Sequence, residues 1–146
     1  FWRSLGDHST RLDDWEPELN RTPPGDLRNT TTPAAMADIL QQLIFGRMLS
    51  ATSCSLLMGW MKDCRTGTRR LRAGFPDFWT VSDKTGNNGK DAVGDICVAW
   101  AGQETPIVVC AYTRGGQPDE KQIFEAFSGI ARFVAEALCP AERSFQ

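Results

Sequence analysis

The sequence is poor in the residues from which proteins build metal sites. His8 is its only histidine, and its five cysteines form neither a Cys-x-x-Cys pair nor a mixed Cys/His spacing. Structural zinc sites need about four such ligands at short, regular intervals. We therefore expect no metal site, and no other pattern in the chain indicates a cofactor.

The sequence also lacks an excess of positive charge and lacks long apolar runs. Its formal net charge is −2, its isoelectric point lies near 5.4, and its arginines are scattered along the chain. A nucleic-acid-binding surface requires clustered positive charge, and a membrane-spanning helix requires roughly 18 consecutive apolar residues. We therefore expect neither nucleic acid nor a membrane among its partners.

The length of 146 residues fits one globular domain or part of one. The first residue is Phe1 rather than methionine, and residues 1–6 end in Leu-Gly. This ending predicts the tail of a helix closed by a glycine cap. We therefore expect the chain to begin inside a fold and to be the later part of a longer protein.

The first half of the chain is predicted to combine a long loop with two helices. Residues 7–32 are rich in Asp, Arg, Pro, Thr and Gly and show no helical or alternating apolar period. A stretch of this length without regular structure is usually a functional loop of the Ω type. Thr32 followed by Pro33 predicts the start of one helix, Gly46 its end, and Ser50 the cap of a second helix.

The second half is predicted to form a sheet covered by helices. Residues 79–85, 95–101 and 106–113 are rich in Val, Ile and aromatic side chains, with turn residues between them, which indicates an antiparallel meander. Both faces of the second strand are apolar, so both must be covered. A final helix is expected on one face and the earlier helices on the other. Its apolar positions are Ile123, Phe127, Ile130, Ala131, Val134 and Leu138.

The expected fold class is therefore α/β of the α+β type. It comprises a three-stranded antiparallel sheet with a C-terminal helix on one face, further helices on the other, and a long Ω-type loop. We assign residues 1–76 to part of a helical domain, with the loop at about residues 7–32. Residues 77–146 are assigned to part of a sheet domain with the C-terminal helix.

The second hairpin gives a prediction about cysteine pairing. If residues 102–105 form its turn, Ala101 faces Pro106 and Cys97 faces Cys110. A disulfide between adjacent strands would be strained, so we expect two thiols there. The other cysteines are expected to be small buried apolar residues.

The loop carries a candidate site for activating water. Residues 15–20 read Trp-Glu-Pro-Glu-Leu-Asn, and a tight helical turn after Pro17 would bring Glu16 and Asn20 to one side. A carboxylate beside a water that a second polar group fixes can act as a general base. The alternative is a loop glutamate that is simply solvated.

A second candidate lies at the end of the first predicted strand. Lys84 and Thr85 provide an ammonium and a hydroxyl, both suited to a carboxylate, and Gly86 lets a substrate approach the backbone. The N–H group of Asn87 can point at a developing oxyanion. Taken alone, a Lys-Thr-Gly tripeptide is unspecific because it occurs often by chance.

Several short motifs occur together in a fixed order. Besides residues 15–20 and Asp-Lys-Thr-Gly at 83–86, they are Arg-Leu-Asp at 11–13, Asn-Thr-Thr-Thr-Pro-Ala-Ala-Met at 29–36, Thr-Gly at 66–67, Arg-Leu-Arg-Ala-Gly at 70–74 and Gly-Asp-Ile at 94–96. In this set the chain resembles, over essentially its whole length, the class A serine β-lactamases, which use a Lys-Thr-Gly strand and a catalytic glutamate. The resemblance implies part of the β-lactamase/transpeptidase-like fold and hydrolysis of β-lactam antibiotics through a serine acyl-enzyme.

The resemblance implies that Glu16 activates the water that cleaves the acyl-enzyme and that Asn20 helps to hold this water. Whether such a glutamate also serves acylation is disputed for the family. The family's nucleophile is a serine with a lysine three positions later, and no serine of this chain has one. The family's Ser-Asp-Asn segment is also absent. We therefore expect the chain to be inactive unless the N-terminal portion is supplied, in the same or a separate chain.

The resemblance also implies a substrate-binding role for the strand residues. Lys84 and Thr85 would bind the substrate carboxylate beside Gly86, and the Asn87 N–H would be one of two oxyanion donors. The family usually supports the substrate carboxylate with an arginine, for which Arg70 is the candidate. The alternative for this side chain is a solvated or helix-capping arginine.

One departure from the family's pattern concerns the base of the loop. The family usually closes it with an ion pair between an arginine and an aspartate, and those positions hold Asp14 and Asn29. An amide-to-carboxylate hydrogen bond is weaker than such a pair. We therefore expect a looser loop, unless Arg11 or Arg28 compensates.

Two other functions stay open at the level of the sequence. A β-lactam-binding sensor or penicillin-binding-like domain would be acylated without turnover, and the pair of Glu16 and Asn20 argues against it because such a protein has no use for water activation. An inactive truncated β-lactamase would fit the missing nucleophile and the altered loop pair. The resemblance further implies a periplasmic or secreted protein that acts on a β-lactam small molecule.

Overall fold

A computed structural model describes residues 1–102 and 105–138. In this part of the chain there are three α-helices and three strands, in the order α1, α2, β1, β2, β3, α3. Short 3-10 turns occupy Trp2–Leu5, Glu18–Arg21 and Leu71–Gly74. The main elements are α1 Pro33–Ile44, α2 Ala51–Lys62, β1 Thr80–Asn87, β2 Val93–Trp100, β3 Ile107–Thr113 and α3 Glu120–Leu138.

Both predicted helix starts are confirmed, and each follows from a capping side chain. The hydroxyl of Thr32 accepts a hydrogen bond from the Ala35 N–H at 3.1 Å, and that of Ser50 accepts one from the Ser53 N–H at 3.1 Å. These bonds satisfy backbone donors that have no partner inside the helix. The glycine cap predicted for the first residues is also present, because Gly6 has a φ of 79° after the Trp2–Leu5 turn.

The predicted antiparallel meander is confirmed, with β2 in the centre of the sheet. Strand β1 is longer than predicted, since Asn87 still pairs with Val93 and the turn begins only at Asn88. The side-chain oxygen of Asn88 explains this, because it accepts the backbone N–H groups of Asp91 and Ala92 at 3.1 and 3.0 Å. An asparagine side chain that replaces backbone partners in this way stabilises a turn.

The predicted pairing of Cys97 with Cys110 is wrong. Cys97 lies opposite Val109, and Cys110 lies opposite Ile96. The register therefore differs by one residue from the one expected, and a one-residue shift turns every side chain of a strand to the other face of the sheet. The two thiols are free, as expected, and they lie on opposite faces. Residues 103 and 104 of the expected turn lie outside the described residues, as does Cys139.

The sheet is covered on both faces, as predicted. Helix α3 and the Leu71–Gly74 turn pack on one face, while α1 and α2 approach the other at β3 and β1. The apolar stripe of α3 is only partly buried: Phe127 and Ala131 are inaccessible, whereas Ile130 is 43% and Leu138 57% exposed. The division at residue 76 into two domains stays a prediction. In the described ranges, no helix is both long and apolar enough to cross a bilayer.

Candidate active site

The Glu16 carboxylate and the Asn20 amide are joined in the loop. The Glu18–Arg21 turn brings the Leu19 N–H to the Trp15 carbonyl at 3.0 Å, and the Asn20 Nδ2 donates to Glu16 Oε2 at 2.6 Å. Glu16 itself is exposed. The amide therefore orients a carboxylate that solvent water can reach, which is the arrangement that a general base for water requires.

Asn29 closes the base of the loop. Its side-chain oxygen accepts the N–H groups of Asp13 and Asp14 at 2.9 and 3.0 Å, and its Nδ2 donates to Asp14 Oδ2 and to Thr22 Oγ1, both at 2.8 Å. It has a φ of 54°, which asparagine adopts more easily than most residues. The expected amide-to-carboxylate bond with Asp14 is therefore present, with two backbone bonds added to it. Whether the loop is looser stays a prediction.

Of the two arginines expected to compensate at the base of the loop, only Arg28 contacts Asp14. Its Nη1 lies 3.4 Å from Asp14 Oδ2, and its main partner is Asp26 at 2.8 Å. Arg11 instead pairs with Asp13 at 2.6 Å, and this hydrogen bond lowers the pKa of the Asp13 carboxyl below its usual value. These pairs are solvated, so solvent screening leaves each of them with little effect on stability.

The Lys-Thr-Gly segment forms the exposed end of β1. Lys84 is exposed, and its Nζ donates to the Thr85 carbonyl at 2.6 Å. The Thr85 hydroxyl is hydrogen-bonded to the hydroxyl of Thr66, in the connector before the sheet. The sequence reasoning gave Thr66 no role, because a contact between residues 19 positions apart leaves no local pattern.

Arg70 lies behind this strand rather than on the surface. It is buried, and its Nη1 donates to the carbonyls of Gly86 and Gly94 at 3.2 and 2.8 Å. These two glycines face each other across β1 and β2. The guanidinium therefore holds the ends of both strands together, which excludes the solvated-arginine alternative. Its predicted contact with a substrate carboxylate stays a prediction.

The candidate residues are distributed between two concave regions of the surface. We call the first the loop–strand cavity; it has a volume of about 320 Å³ and lies between the loop and the ends of the strands. It brings Asn20 together with Gly86 and Asn87. The residues around it include Asn20, Thr22, Asn29, Gly86, Asn87 and Arg114.

The second region, which we call the helix groove, has a volume of about 550 Å³ and is mainly apolar. Lys84 lines this groove and does not line the loop–strand cavity. Glu16 lines neither of the two. The strand residues therefore face two sides, with Lys84 towards the helices and Asn87 towards the loop. The groove is lined among others by Met36, Leu43, Leu57, Trp60, Thr66 and Lys84.

Two buried carboxylates support the Lys-Thr-Gly strand from the face opposite Lys84. Asp83 Oδ1 accepts a hydrogen bond from Arg72 Nε at 2.7 Å, and Asp95 Oδ2 accepts the Leu71 N–H at 3.0 Å. Neither aspartate is accessible to solvent. Asp95 lies opposite Thr85. The sequence reasoning missed both, although a charged residue inside an apolar strand is unusual enough to signal a specific partner.

Asp95 gives a prediction about pH. Burial, with a further contribution from the nearby Asp83 charge, raises the pKa of Asp95 from 3.8 to about 7. Between about pH 4 and pH 7 the folded protein therefore keeps a proton that the unfolded chain loses. The free energy of unfolding should fall as the pH rises through this window, by up to about 1.4 kcal/mol per pH unit.

The substitution Asp95→Asn should remove this contribution, because an amide does not ionise and its oxygen can still accept the Leu71 N–H. Urea unfolding of both proteins at several pH values between about 4 and 7 measures the difference. The acidic groups with lowered pKa values, such as Asp13, affect both proteins alike. Identical pH slopes for the two proteins would contradict the assignment to Asp95.

Comparison with known proteins gives a consistent result. A family model described as the beta-lactamase enzyme family matches residues 1–138. A beta-lactamase of Mycobacterium tuberculosis is 45% identical over 141 residues, covering 92% of this chain and 46% of that protein. The carbapenem-hydrolyzing beta-lactamase KPC of Klebsiella oxytoca is 40% identical over 139 residues, covering 94% and 47%.

Solved structures agree with the sequence matches. An ancestral (GNCA) class A beta-lactamase superposes with a TM-score of 0.89 at 47% identity, covering 94% of this chain and 53% of that one. The chain spans about half the length of the curated relatives it matches. The α/β fold expected from the motifs is therefore confirmed. The solved structures that it matches include class A beta-lactamases, and the chain belongs to the beta-lactamase enzyme family.

Proposed function

We propose that this chain supplies the deacylating and substrate-binding part of a serine β-lactamase and that it works only together with the portion of the fold that carries the nucleophile. The observation that carries the proposal is the 2.6 Å hydrogen bond between Asn20 and Glu16, because Asn20 also lines the loop–strand cavity with Gly86 and Asn87. The amide thus links the oriented carboxylate to a cavity that the end of β1 also lines, and such a pairing suits hydrolysis of an ester.

The reaction needs two contributions from these residues. Glu16 takes a proton from water, which attacks the carbonyl carbon of the acyl-enzyme, and Asn20 holds the carboxylate in position. The Asn87 N–H stabilises the negative charge that develops on the carbonyl oxygen. A positioned base contributes about 10²- to 10⁴-fold and one oxyanion donor about 10²- to 10³-fold. Without the nucleophile no acyl-enzyme forms, so the chain alone offers neither group an ester to act on.

Substrate binding is assigned to the residues of β1 that precede Asn87. Lys84 and Thr85 offer a positive charge and a hydroxyl for the carboxylate of a β-lactam, beside Gly86. Arg70 supports them through its bonds to the Gly86 and Gly94 carbonyls. It also adds positive charge behind the strand.

The helix groove is the proposed docking surface for the portion with the nucleophile. Its walls are apolar, and Trp60, which also lines it, is 69% exposed; a contiguous apolar surface of this kind is typical of an interaction site. Lys84 also lines this groove. A segment seated there would bring its serine next to the lysine, and the matched relatives are about twice as long as this chain. We also propose that the assembled protein is exported.

Complementation tests this proposal. The chain is produced together with the N-terminal portion of an ancestral class A enzyme, and hydrolysis of a chromogenic cephalosporin is measured. Turnover by the mixture, with none by either portion alone, is the expected result. A stable acyl adduct without turnover would instead identify a sensor, and a complex that never reacts would identify an inactive fragment. Both of those outcomes would overturn the proposal.

A further inference from the structure

In the described part of the chain, one side chain makes the hydrogen bonds between the loop and the sheet. Arg114 directly follows β3, and its Nη2 donates to the carbonyl of Pro23 at 2.7 Å and to that of Thr22 at 3.4 Å. Within residues 1–102 and 105–138, these are the only hydrogen bonds between residues 7–32 and the sheet or its turns. The loop's other hydrogen bonds in the described residues lie within it, as at Asn29, or join it to the residues directly before it and to the start of α1.

The backbone next to Arg114 is hydrogen-bonded to the turn that follows Asn87. The N–H of Gly115 donates to Asp91 Oδ2 at 3.3 Å, and the Asn88 Nδ2 donates to Asp91 Oδ1 at 3.0 Å. Asn88 directly follows Asn87. A continuous set of hydrogen bonds therefore leads from this strand end through Arg114 to the loop.

We propose that Arg114 is a positioning residue that holds the loop, and with it the pair of Glu16 and Asn20, at a fixed distance from the strand end of Asn87. Thr22 and Pro23 lie two and three residues after Asn20 in the chain. The loop–strand cavity separates the loop from the sheet at this point, so side-chain packing there is incomplete. The hydrogen bonds of Arg114 bridge the gap at its rim.

The proposal rests on the proposed function only for its catalytic consequence. Removing the bonds of Arg114 should let the loop move away from the strand more often, by about 5-fold, as expected for the loss of an ordinary hydrogen bond. Deacylation needs the loop and the strand at the same carbonyl group, so its rate should fall by a similar factor. Acylation depends on groups outside the loop and should change less.

The first measurement is hydrogen exchange of the full chain carrying Arg114→Met. The backbone amides of residues 15–22 should exchange about 5-fold faster than in the parent, and those of α2 should not change. Arg114→Lys, which keeps a donor, should restore part of the protection. Arg47→Met is the control, since Arg47 is an exposed arginine that makes no hydrogen bond to any other described residue. Unchanged exchange in Arg114→Met would overturn the proposal.

The second measurement uses the chain assembled with the nucleophile-bearing portion. Arg114→Met should lower the deacylation rate about 5-fold, accumulate more acyl-enzyme at steady state and lower KM together with kcat. If the parent assembly never acylates, the proposed function fails, while the exchange experiment still decides whether Arg114 holds the loop. Faster loop exchange with an unchanged deacylation rate would show that the contact does not position the catalytic pair.

Discussion

The substitution Glu16→Ala should convert the assembled protein from one that turns over into one that stops at the acyl-enzyme. The residue is not the nucleophile, so the serine ester still forms. Without the carboxylate, the hydrolytic water has no base in reach, because the remaining partner, Asn20, has an amide that does not take up a proton at neutral pH. We expect the deacylation rate to fall by about 10²- to 10⁴-fold.

Mass spectrometry of the intact protein after mixing with a cephalosporin measures this directly. The parent should show mostly free enzyme, and Glu16→Ala should show a persistent adduct together with a single burst of product. Glu18→Ala is a matched control, because Glu18 lies in the same turn and pairs with Arg21 at 3.2 Å in solvent. Equal turnover in the Glu16→Ala and parent proteins would remove this residue from the mechanism.

The parts of the fold that were predicted correctly are those with local causes. Thr32 with Pro33, and Ser50, are caps that act within three or four residues, so they are readable without knowledge of the rest of the chain. The spacing of Glu16 and Asn20 is of the same kind, since both lie on one short turn. The closeness of the two side chains was therefore foreseeable, and the water that they would share stays a prediction.

The parts that were predicted wrongly or missed depend on contacts between distant residues. The register of β2 against β3 was predicted with an error of one residue. Cys97 was therefore expected opposite Cys110, whereas it lies opposite Val109. The Arg114 contact joins residues about 90 positions apart. The exposed apolar positions of α3, such as Ile130, match the helical pattern but have no covering partner in the described chain. Periodicity predicts an apolar face, and it does not reveal what covers that face.

The sequence predicted which residues belong to the candidate site better than it predicted where their side chains lie. Lys84 and Asn87 were both identified. Because side chains alternate between the two faces of a strand, however, Lys84 lines the helix groove and Asn87 lines the loop–strand cavity. The support behind the strand was not identified at all. The sequence motifs contain Asp83, Asp95 and Arg72, but only the fold reveals that both aspartates are buried and that Arg72 pairs with Asp83.

The largest effect on stability is expected from Arg72→Met. Arg72 is the only side chain that neutralises Asp83 in the described structure, and it also donates to the Met61 and Lys62 carbonyls at 3.3 and 3.2 Å. Asp83 is fully buried, and its second oxygen already has no partner. Space for water is scarce, because a Cβ on Gly67 would lie 1.8 Å from this oxygen.

Removing one partner of a buried ion pair leaves a charge without compensation, which typically costs about 3–5 kcal/mol. Urea unfolding of Arg72→Met should show a loss of this size. The control Lys121→Met breaks an exposed pair with Glu125 and should cost less than about 1 kcal/mol.

The double variant Arg72→Met with Asp83→Asn separates charge from packing. If the cost comes from the uncompensated carboxylate, neutralising Asp83 should recover more than half of the lost stability. If the double variant is as unstable as Arg72→Met alone, the arginine acts through packing and its bonds to α2 instead. A loss below about 1 kcal/mol in the single variant would mean that water or a proton compensates Asp83. The Lys-Thr-Gly strand would then not depend on Arg72 for its position.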